Sequence, residues 1–273
     1  MSDDQLQRIK HLRQLHEAPG SFVIANAWDA GSARILAGLG FQALATSSGA
    51  AAGVLGRMDG RITREEALSQ AAGMVAAVSV PISADLEKGF GGRPEEVAHT
   101  IQLAIDTGLA GGSIEDATGD KQRPLFDSDL AIERVQAAVE AARKTGTGFM
   151  ITARTENFLR GNPDLDDTIK RLQAFERAGA DVLFAPGLPS LEAVQLVCAS
   201  VTKPVNFMVG MPGKSFSVEE LATAGVKRIS LASTLHRAAM SALIDAADEV
   251  LGKGTFDYLQ RLQPAARIGS FLK

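Results

Sequence analysis

A short apolar run, a turn and an amphipathic helical pattern follow one another eight times along this chain. The eight runs, which we predict to be strands, are Phe22–Ala25, Ala43–Thr46, Ile82–Asp85, Gly112–Glu115, Phe149–Ala153, Val182–Ala185, Val205–Met208 and Arg228–Leu231. Short apolar strands that alternate with helices are typical of a parallel sheet with both faces covered. Eight such units in 273 residues predict an α/β fold, a closed (β/α)8 barrel of the TIM type.

Glycine follows four of the predicted helices, shortly before the next strand. These glycines are Gly40, Gly108, Gly179 and Gly225. Glycine just past a helix end supplies the left-handed cap that terminates many helices. The four joints therefore support the alternation of helix and strand.

We predict a single barrel domain over residues 1–273, because no linker, low-complexity tract or shift in composition interrupts the pattern. Residues 1–20 carry an N-terminal helix with apolar side chains at helical spacing. Residues 251–273 carry a second helical pattern and form a C-terminal helical extension. This extension packs either on the barrel or on a neighbouring subunit.

Composition and charge exclude several classes of partner. The net charge of −4 argues against a nucleic-acid surface, which would need a basic stripe. No apolar run approaches the roughly 20 residues of a membrane span, so we expect no membrane partner. The polar start of the chain shows no signal-peptide pattern. Cys198 is the only cysteine and cannot form an internal disulfide, which favours a cytoplasmic location.

Two carboxylates, Asp85 and Glu87, stand where the third predicted strand ends. Side chains two residues apart lie on the same side of an extended chain, so both can face one cavity. Two like charges that close repel each other unless a cation lies between them or one is protonated. Hard divalent cations, Mg²⁺ above all, accept such oxygen ligands. The alternative is a pair of solvated acids on a loop.

Polar side chains also follow several other predicted strands, at the end of the barrel where TIM-barrel enzymes carry their chemistry. They are Ser47, Ser48 and Gly49, then Glu115 and Asp116, then Arg154 and Glu156, and finally Ser230 with His236 close behind. Buried ionised groups cost several kcal/mol each unless they are paired or bound to a metal. The sequence therefore predicts a site for a metal and an anion.

Each of these pieces has a simpler alternative. The Ser47–Gly49 segment is either an ordinary turn or a set of backbone amides that hold an oxyanion. Arg154 is suited to binding a carboxylate or phosphonate, or it pairs with Glu115 or Glu156 inside the protein. His236 either reaches the mouth of the barrel or caps its helix.

These residues belong to motifs that together resemble the isocitrate lyase/phosphoenolpyruvate mutase superfamily. The motifs are Trp28-Asp29-Ala30-Gly31-Ser32-Ala33-Arg34, Thr46-Ser47-Ser48-Gly49, Asp59, Ser83-Ala84-Asp85-Leu86-Glu87-Lys88-Gly89-Phe90-Gly91, Ile114-Glu115-Asp116, Ala153-Arg154-Thr155-Glu156 and Ala178-Gly179-Ala180-Asp181. They run in order from about residue 20 to residue 239. The resemblance implies a Mg²⁺-dependent barrel that cleaves or forms C–C or P–C bonds next to a 2-oxo acid. It also implies a homotetramer, a dimer of dimers that exchanges a C-terminal helix.

The resemblance further implies a role for each matched position. Asp85 would be the direct ligand of Mg²⁺, or of Mn²⁺ in its place, and the acids that hold the ion through its waters would be Asp59, Glu87 and Glu115. Ser47, with the amides of Ser48 and Gly49, would hold the carboxylate and oxo groups of a pyruvate-like substrate. Arg154 would bind substrate oxygens. The remaining candidates for substrate binding are Trp28, Asp29 and His236.

One loop departs from the pattern of the family. The carbon–carbon lyases carry a catalytic cysteine after the fourth strand, whereas residues 117–124 of this chain contain no cysteine and no histidine. Lys121 and Arg123 occupy this loop, at offsets from Glu115 similar to those of a lysine and an asparagine in the mutases. We therefore treat Lys121, Arg123, Arg154 and Glu115 as the candidate catalytic residues, with the first two closing over the substrate.

Three functions remain open from the sequence. The first is a Mg²⁺-dependent lyase or decarboxylase that acts on a small 2-oxo or 2-hydroxy di- or tricarboxylate through an enolate. The second is a mutase or hydrolase that acts on the P–C bond of a phosphonopyruvate-type substrate. The third is a barrel that binds a ligand without converting it.

Overall fold

The computed structural model describes residues 2–273 and confirms the predicted barrel. The strands are β1 Phe22–Asn26, β2 Leu44–Ala45, β3 Ile82–Asp85, β4 Gly111–Glu115, β5 Met150–Arg154, β6 Val182–Phe184, β7 Val205–Met208 and β8 Arg228–Ser230. They form a closed barrel in sequence order, and every neighbouring pair is parallel. The carboxyl ends of all eight strands therefore meet at one end of the barrel.

The helices alternate with these strands. They are α1 Asp3–Glu17, α2 Ala30–Gly38, α3 Ser48–Val54, α4 Arg64–Ala77, α5 Pro94–Asp106, α6 Ser128–Lys144, α7 Leu165–Arg177, α8 Leu191–Ala199, α9 Val218–Thr223, α10 Thr234–Lys253 and α11 Ala265–Phe271, with a 3₁₀ helix at Asp257–Arg261. Among residues 2–273, no helix has the length and apolar character that a membrane span requires.

Helix α3 replaces the turn that the sequence analysis allowed after the second strand. The side chain of Ser47 caps this helix and accepts a hydrogen bond from the Ala50 amide at 3.4 Å. An alanine-rich run with a serine cap favours a helix over an open turn. Because α3 and α4 both follow β2, the segment between them carries Asp59 back towards the barrel mouth.

Helix α1, the predicted N-terminal helix, covers the end of the barrel opposite to the strand tips. Ile9 and Leu12 are buried among apolar side chains of the strands, including Ile24 and Met150. The side-chain amide of Gln5 donates to the carbonyl groups of Ile105 at 2.7 Å and Leu109 at 3.1 Å. These contacts close this end of the barrel with packed side chains.

The predicted C-terminal extension, residues 251–273, begins in the last turn of helix α10. Helix α10 follows β8, yet none of its 20 residues is buried. The chain then turns back, and α11 packs on α2, where the ring of Phe271 covers Gly38 so closely that a Cβ there would clash with it. The side chain of Arg34 on α2 donates to the carbonyl groups of Leu272 and Lys273. Thus α11 is docked on its own barrel, whereas α10 stands exposed.

The glycine-rich loop after β3 is held by one buried arginine of α6. Arg134 is 1% exposed and donates from Nη1 to the carbonyl groups of Gly91 at 2.9 Å and Gly92 at 2.7 Å, and from Nη2 to that of Lys88. Its guanidinium also lies 4.1 Å from the centre of the Phe126 ring. This side chain therefore fixes the loop that follows Glu87.

We predict that Arg134→Met lowers the free energy of unfolding by about 3–5 kcal/mol, because three backbone carbonyls lose a charged donor. Urea denaturation measures the change. Arg143→Met on the same helix is the control, since Arg143 forms a half-exposed ion pair with Asp181, and such pairs contribute at most about 1 kcal/mol. Equal losses in the two variants would contradict the role of Arg134.

The last turn of α1 contains a buried histidine that resists protonation. Burial, with smaller contributions from Arg228, Lys227 and Arg13, lowers the pKa of His16 from 6.5 to about 3. The ring lies edge-on to Phe22, and Nδ1 donates to the carbonyl of Leu12 at 2.8 Å. Below pH 6.5 the unfolded chain binds a proton that the folded chain excludes, so stability falls as the pH falls.

We predict that the wild-type protein loses about 2 kcal/mol more stability than His16→Gln between pH 7 and pH 5, because only the histidine takes up a proton on unfolding. Urea denaturation at the two pH values measures this difference. His99→Gln on α5 serves as the control, since its side chain is exposed, and it should retain the wild-type pH dependence. A His16→Gln protein that retains it as well would contradict the assignment.

Candidate active site

A cavity of about 440 Å³ opens at the carboxyl ends of the strands. Nine of the residues singled out in the sequence line it. Ser230 comes from β8, and the other eight are Ser47, Ser48, Gly49, Asp59, Asp85, Glu87, Glu115 and Arg154. They come from the ends of β2, β3, β4 and β5 and from the segment between α3 and α4. The closed barrel thus brings together in space acids that are as many as 56 residues apart in the sequence, Asp59 and Glu115.

Asp85, the last residue of β3, is held by neighbouring backbone and side-chain groups. The Ser48 amide donates to its Oδ2 at 3.2 Å, and the Glu87 amide donates to its Oδ1 at 3.2 Å. The amide of Asp85 itself donates to the Thr46 hydroxyl at 2.9 Å. In this structure the Ser48 amide therefore binds Asp85, whereas the sequence analysis assigned it to the substrate.

Glu87 adopts a strained conformation in a largely buried place. Its φ of 49° lies in the left-handed region, which is unfavourable for a residue other than glycine. Its Oε1 is buried without a hydrogen-bond partner. Burial, followed by the charges of Asp85 and Asp59, raises the pKa of Glu87 to about 7. The chain thus holds an unsatisfied carboxyl group beside two other acids.

Arg154, the last residue of β5, lies at the centre of the charged cluster. Its Nε donates to Glu156 Oε1 at 2.5 Å, and its Nη1 lies 3.4 Å from Glu115 Oε2 and 3.9 Å from Asp85 Oδ1. Burial alone would lower its pKa, but Glu115, Glu156 and Asp85 raise it. Arg154 therefore stays charged, with one tight ion pair and two longer ones.

Glu115, the last residue of β4, is also strongly perturbed. Burial raises its pKa to about 8. Arg154 and Arg160 oppose this shift, whereas Glu156 and Asp85 add to it. Two arginines next to Glu115 therefore do not fully compensate the desolvation of its charge.

Arg160 is a site residue that the sequence analysis missed. It lines the cavity, and its Nη2 lies 3.4 Å from Glu115 Oε1 while its Nε lies 2.9 Å from Glu156 Oε2. Glu156, which is fully buried, thus anchors both Arg154 and Arg160. The spacing of four residues between Glu156 and Arg160 is a recognisable ion-pair signal, and it stands close after a strand tip.

Asp116, next to Glu115, supports the site from outside the cavity. Its carboxylate accepts hydrogen bonds from the Glu156 amide at 2.8 Å, the Thr155 hydroxyl at 2.9 Å and Arg171 at 3.1 Å. These bonds fix the turn after β5. Asp116 therefore acts as a structural group that orients the Arg154–Glu156 pair.

The acids that line the cavity fit a hard divalent cation. Their donor atoms are carboxylate oxygens, and one of them, Glu87 Oε1, is buried without a partner. Within residues 2–273, no three acidic, histidine or cysteine side chains are close enough to coordinate an ion alone. A cation here would keep several water ligands, as Mg²⁺ commonly does in proteins.

The structure does not bring Lys121 and Arg123 into the cavity. Both side chains are exposed on the loop between β4 and α6. Two hydrogen bonds hold this loop. The Thr118 amide donates to the carbonyl of Pro124 at 3.0 Å, and Lys88 Nζ, from the loop after β3, donates to the carbonyl of Thr118 at 2.6 Å. The catalytic roles of Lys121 and Arg123 stay predictions that would need the loop to move.

Three candidate substrate-binding residues also lie outside the cavity lining. The Asp29 carboxylate caps α2 by accepting the Ser32 amide at 2.6 Å. The rings of Trp28 and His236 meet edge to face with their centres 5.3 Å apart. His236 also packs over Gly53 of α3. This arrangement gives Asp29 a capping role and gives the ring pair a packing role.

Comparisons with known proteins agree with this architecture. Residues 12–251 match the family model described as phosphoenolpyruvate phosphomutase. The 2-methylisocitrate lyase of Escherichia coli (strain K12) is 34% identical over 197 residues, which cover 68% of this chain and 65% of the relative. The crystal structure of a candidate lyase/mutase from Burkholderia cenocepacia J2315 superimposes with a TM-score of 0.97 at 47% identity, covering 99% of this chain and 97% of that one.

A second solved structure, that of 2,3-dimethylmalate lyase, superimposes with a TM-score of 0.86 at 28% identity and covers 97% of this chain and 95% of the relative. It is described as a member of the same superfamily as the sequence motifs suggested. The family model spans most of this chain, and these relatives include lyases. The chain therefore belongs to the isocitrate lyase/phosphoenolpyruvate mutase superfamily.

Proposed function

We propose that this protein is a Mg²⁺-dependent carbon–carbon lyase or decarboxylase for a small 2-oxo or 2-hydroxy di- or tricarboxylate. The observation that carries the proposal is the joining, in one cavity, of a carboxylate cluster suited to a hard cation with an arginine suited to an oxyanion. Mn²⁺ would fit the same oxygen donors. Mg²⁺ would act as a Lewis acid that polarises the substrate oxygen next to the breaking bond.

The side chains of the cavity support this chemistry. Nη1 of Arg154 lies 3.4 Å and 3.9 Å from its carboxylate neighbours, so its N–H groups are not engaged in short hydrogen bonds and can donate to a substrate oxyanion. With a 2-oxo substrate, the electron pair of the broken bond stays on the 2-oxo acid as its enolate. With a 2-hydroxy substrate, the hydroxyl gives up its proton and becomes the oxo group, and the electron pair leaves with the other fragment, which takes up a proton in turn. Arg154 would stabilise the negative charge that develops.

Decarboxylation fits the loop after β4 without a further acid. Residues 117–124 contain no cysteine or histidine that could protonate a leaving carbanion, and the exposed Lys121 and Arg123 do not reach the cavity. Carbon dioxide leaves without needing a proton. The similarity to 2-methylisocitrate lyase and 2,3-dimethylmalate lyase supports a hydroxy-polycarboxylate substrate instead, whose cleavage would need a proton donor outside this loop.

The alternative is cleavage or transfer at the P–C bond of a phosphonopyruvate-type substrate. The match of residues 12–251 to the phosphoenolpyruvate phosphomutase model favours it. Both reactions use the same oxyanion-stabilising groups, so the substrate must decide between them. Purified protein should be assayed with Mg²⁺ against oxaloacetate, 2-methylisocitrate, 2,3-dimethylmalate and phosphonopyruvate. Turnover of phosphonopyruvate alone would reject the lyase proposal in favour of this alternative.

We predict that Asp85→Asn lowers kcat/KM for the active substrate at least about 100-fold, because it removes a charge that would hold the cation and that lies 3.9 Å from Arg154 Nη1. Isothermal titration with Mg²⁺ should show weaker metal binding in the same variant. Asp129→Asn on the exposed start of α6 is the control and should keep both properties. Unchanged metal binding and turnover in Asp85→Asn would reject the assignment of the site.

We also propose that the protein forms a homo-oligomer in which a second copy covers α10. The eighth helix of such a barrel normally packs on the sheet, yet α10 has no buried residue and exposes Leu243 (61%), Ile244 (58%) and Leu251 (86%). The segment after it adds Leu259 and Leu262, which are also exposed. Several large apolar side chains exposed on one helix and the segment after it are typical of a protein–protein interface, and the α10 of a second copy is the partner that we propose for them.

We predict that light scattering during size-exclusion chromatography gives the mass of four chains, a dimer of dimers. A double variant, Leu243→Glu with Leu251→Glu, should dissociate the assembly because it buries two charges in the interface. Leu196→Glu on α8 is the control, since Leu196 is 49% exposed and lies away from α10. A monomeric wild-type protein, or a double variant with the wild-type mass, would contradict the proposal.

A further inference from the structure

The floor of the cavity contains a buried arginine that the proposed chemistry does not use. Arg228 is the first residue of β8, lines the cavity and is 6% exposed. The interior of a TIM barrel is usually filled by bulky branched side chains. Here the side chains below the catalytic acids are polar instead. Arg228 is charged, and the residues around it are the neutral Ser83, Ser113, Thr152 and Asn206.

Neutral groups fix the position of Arg228. Its Nε donates to Asn206 Oδ1 at 2.8 Å, and its Nη2 donates to Thr152 Oγ1 at 3.0 Å. The Asn206 amide is fixed in turn, because its Nδ2 donates to Ser230 Oγ at 3.0 Å. The guanidinium is therefore held in one orientation by β5, β7 and β8.

No acid balances the charge of Arg228. In the described part of the chain, no carboxylate oxygen lies within the 4.0 Å limit of an ion pair with it. Its Nη1 has no hydrogen-bond partner in residues 2–273 and is not fully buried, and Arg228 lines the cavity. Burial alone lowers its pKa to about 10, so the group remains charged at neutral pH.

The two buried arginines of the cavity differ in this respect. Arg154 is shared by three acids, whereas Arg228 faces the cavity with none. A buried charge without a partner costs several kcal/mol, and a bound anion would remove that cost. An orientation fixed in advance also reduces the entropy lost when a ligand binds.

We propose that Arg228, positioned by Asn206 and Thr152, forms a second anion subsite that binds the distal carboxylate of the substrate. This inference rests on the proposed function and deepens it, because it requires a substrate with a second carboxylate beyond the one next to the reacting carbon. The acid cluster and Arg154 hold one end of the molecule, and Arg228 holds the other.

The test compares ligands that differ only in the second carboxylate. Malate is matched with 2-hydroxybutyrate, and 2-oxoglutarate is matched with 2-oxopentanoate, which has a methyl group in place of the distal carboxylate. Dissociation constants are measured by calorimetry with Mg²⁺ present. The wild-type protein should bind the dicarboxylate of at least one pair at least 10-fold more tightly, a difference of about 1.4 kcal/mol.

Arg228→Met should abolish this preference by weakening the dicarboxylate at least 10-fold while changing the monocarboxylate less than 3-fold. Arg228→Lys should keep part of the preference, because it keeps the charge. Arg177→Met on the exposed end of α7 is the control and should keep all of it. Equal weakening of both ligands of a pair, or no preference in the wild-type protein, would overturn the proposal.

A thermal melt without ligand separates this role from a structural one. Arg228→Met removes an unbalanced buried charge but leaves Asn206 Oδ1 and Thr152 Oγ1 without their donor. These two effects oppose each other, so the variant should melt close to the wild-type temperature. A melting temperature several degrees lower would show that Arg228 serves the fold instead. Because the binding readout needs no turnover, a protein with the dicarboxylate preference but no activity would support the subsite and reject the proposed function.

Discussion

The charge imbalance around Arg154 is the constraint on which the rest of the site depends. Asp85, Glu115 and Glu156 all lie within 4 Å of this one guanidinium. Arg160 adds a second positive charge, but Glu87 and Asp59 add two more acids to the same cavity. The raised pKa values of Glu87 and Glu115 follow from this excess of acid and from burial. A divalent cation would relieve this excess of negative charge, so the metal and Arg154 would neutralise the same group of acids.

The barrel makes such an imbalance possible because it fixes the acids on separate rigid strands. Each of Asp85, Glu115 and Arg154 is the last residue of its strand, and the register of β3, β4 and β5 sets their relative heights. The loop after β3 is less constrained by the sheet. Arg134 holds it by three carbonyl groups, and the left-handed backbone of Glu87 turns the second acid towards Asp85 and Asp59.

The sequence predicts the parts of the molecule that follow from strand periodicity. The eight strands coincide with the apolar runs, and the acids lie where these runs end. In a closed parallel barrel the carboxyl ends of all strands meet at one end, so residues at these positions must lie near one another. Long-range or loop-dependent features were not predictable in this way. Helix α3 was hidden in a segment with turn-forming residues, and Arg160 lies on an irregular turn after β5. The spacing of Lys121 and Arg123 from Glu115 predicts that they lie on the loop after β4. It does not predict where their side chains point, because the conformation of this loop depends on the hydrogen bond between Thr118 and Pro124.

Arg228 shows why the interior of a barrel cannot be read from strand pattern alone. It begins a strand whose other residues look like ordinary core, and nothing in the local sequence tells whether its side chain points inward. Pointing inward, it makes the cavity positive at its floor and leaves the excess of acid near the mouth. With a divalent cation bound among these acids, the cavity would have two positive regions, and a small molecule with one carboxylate would satisfy only one of them. A molecule with anionic groups at both ends, on either side of the bond to be broken, would satisfy both regions. Arg154 and Arg228 would then also orient it, because its reacting carbon would lie between them.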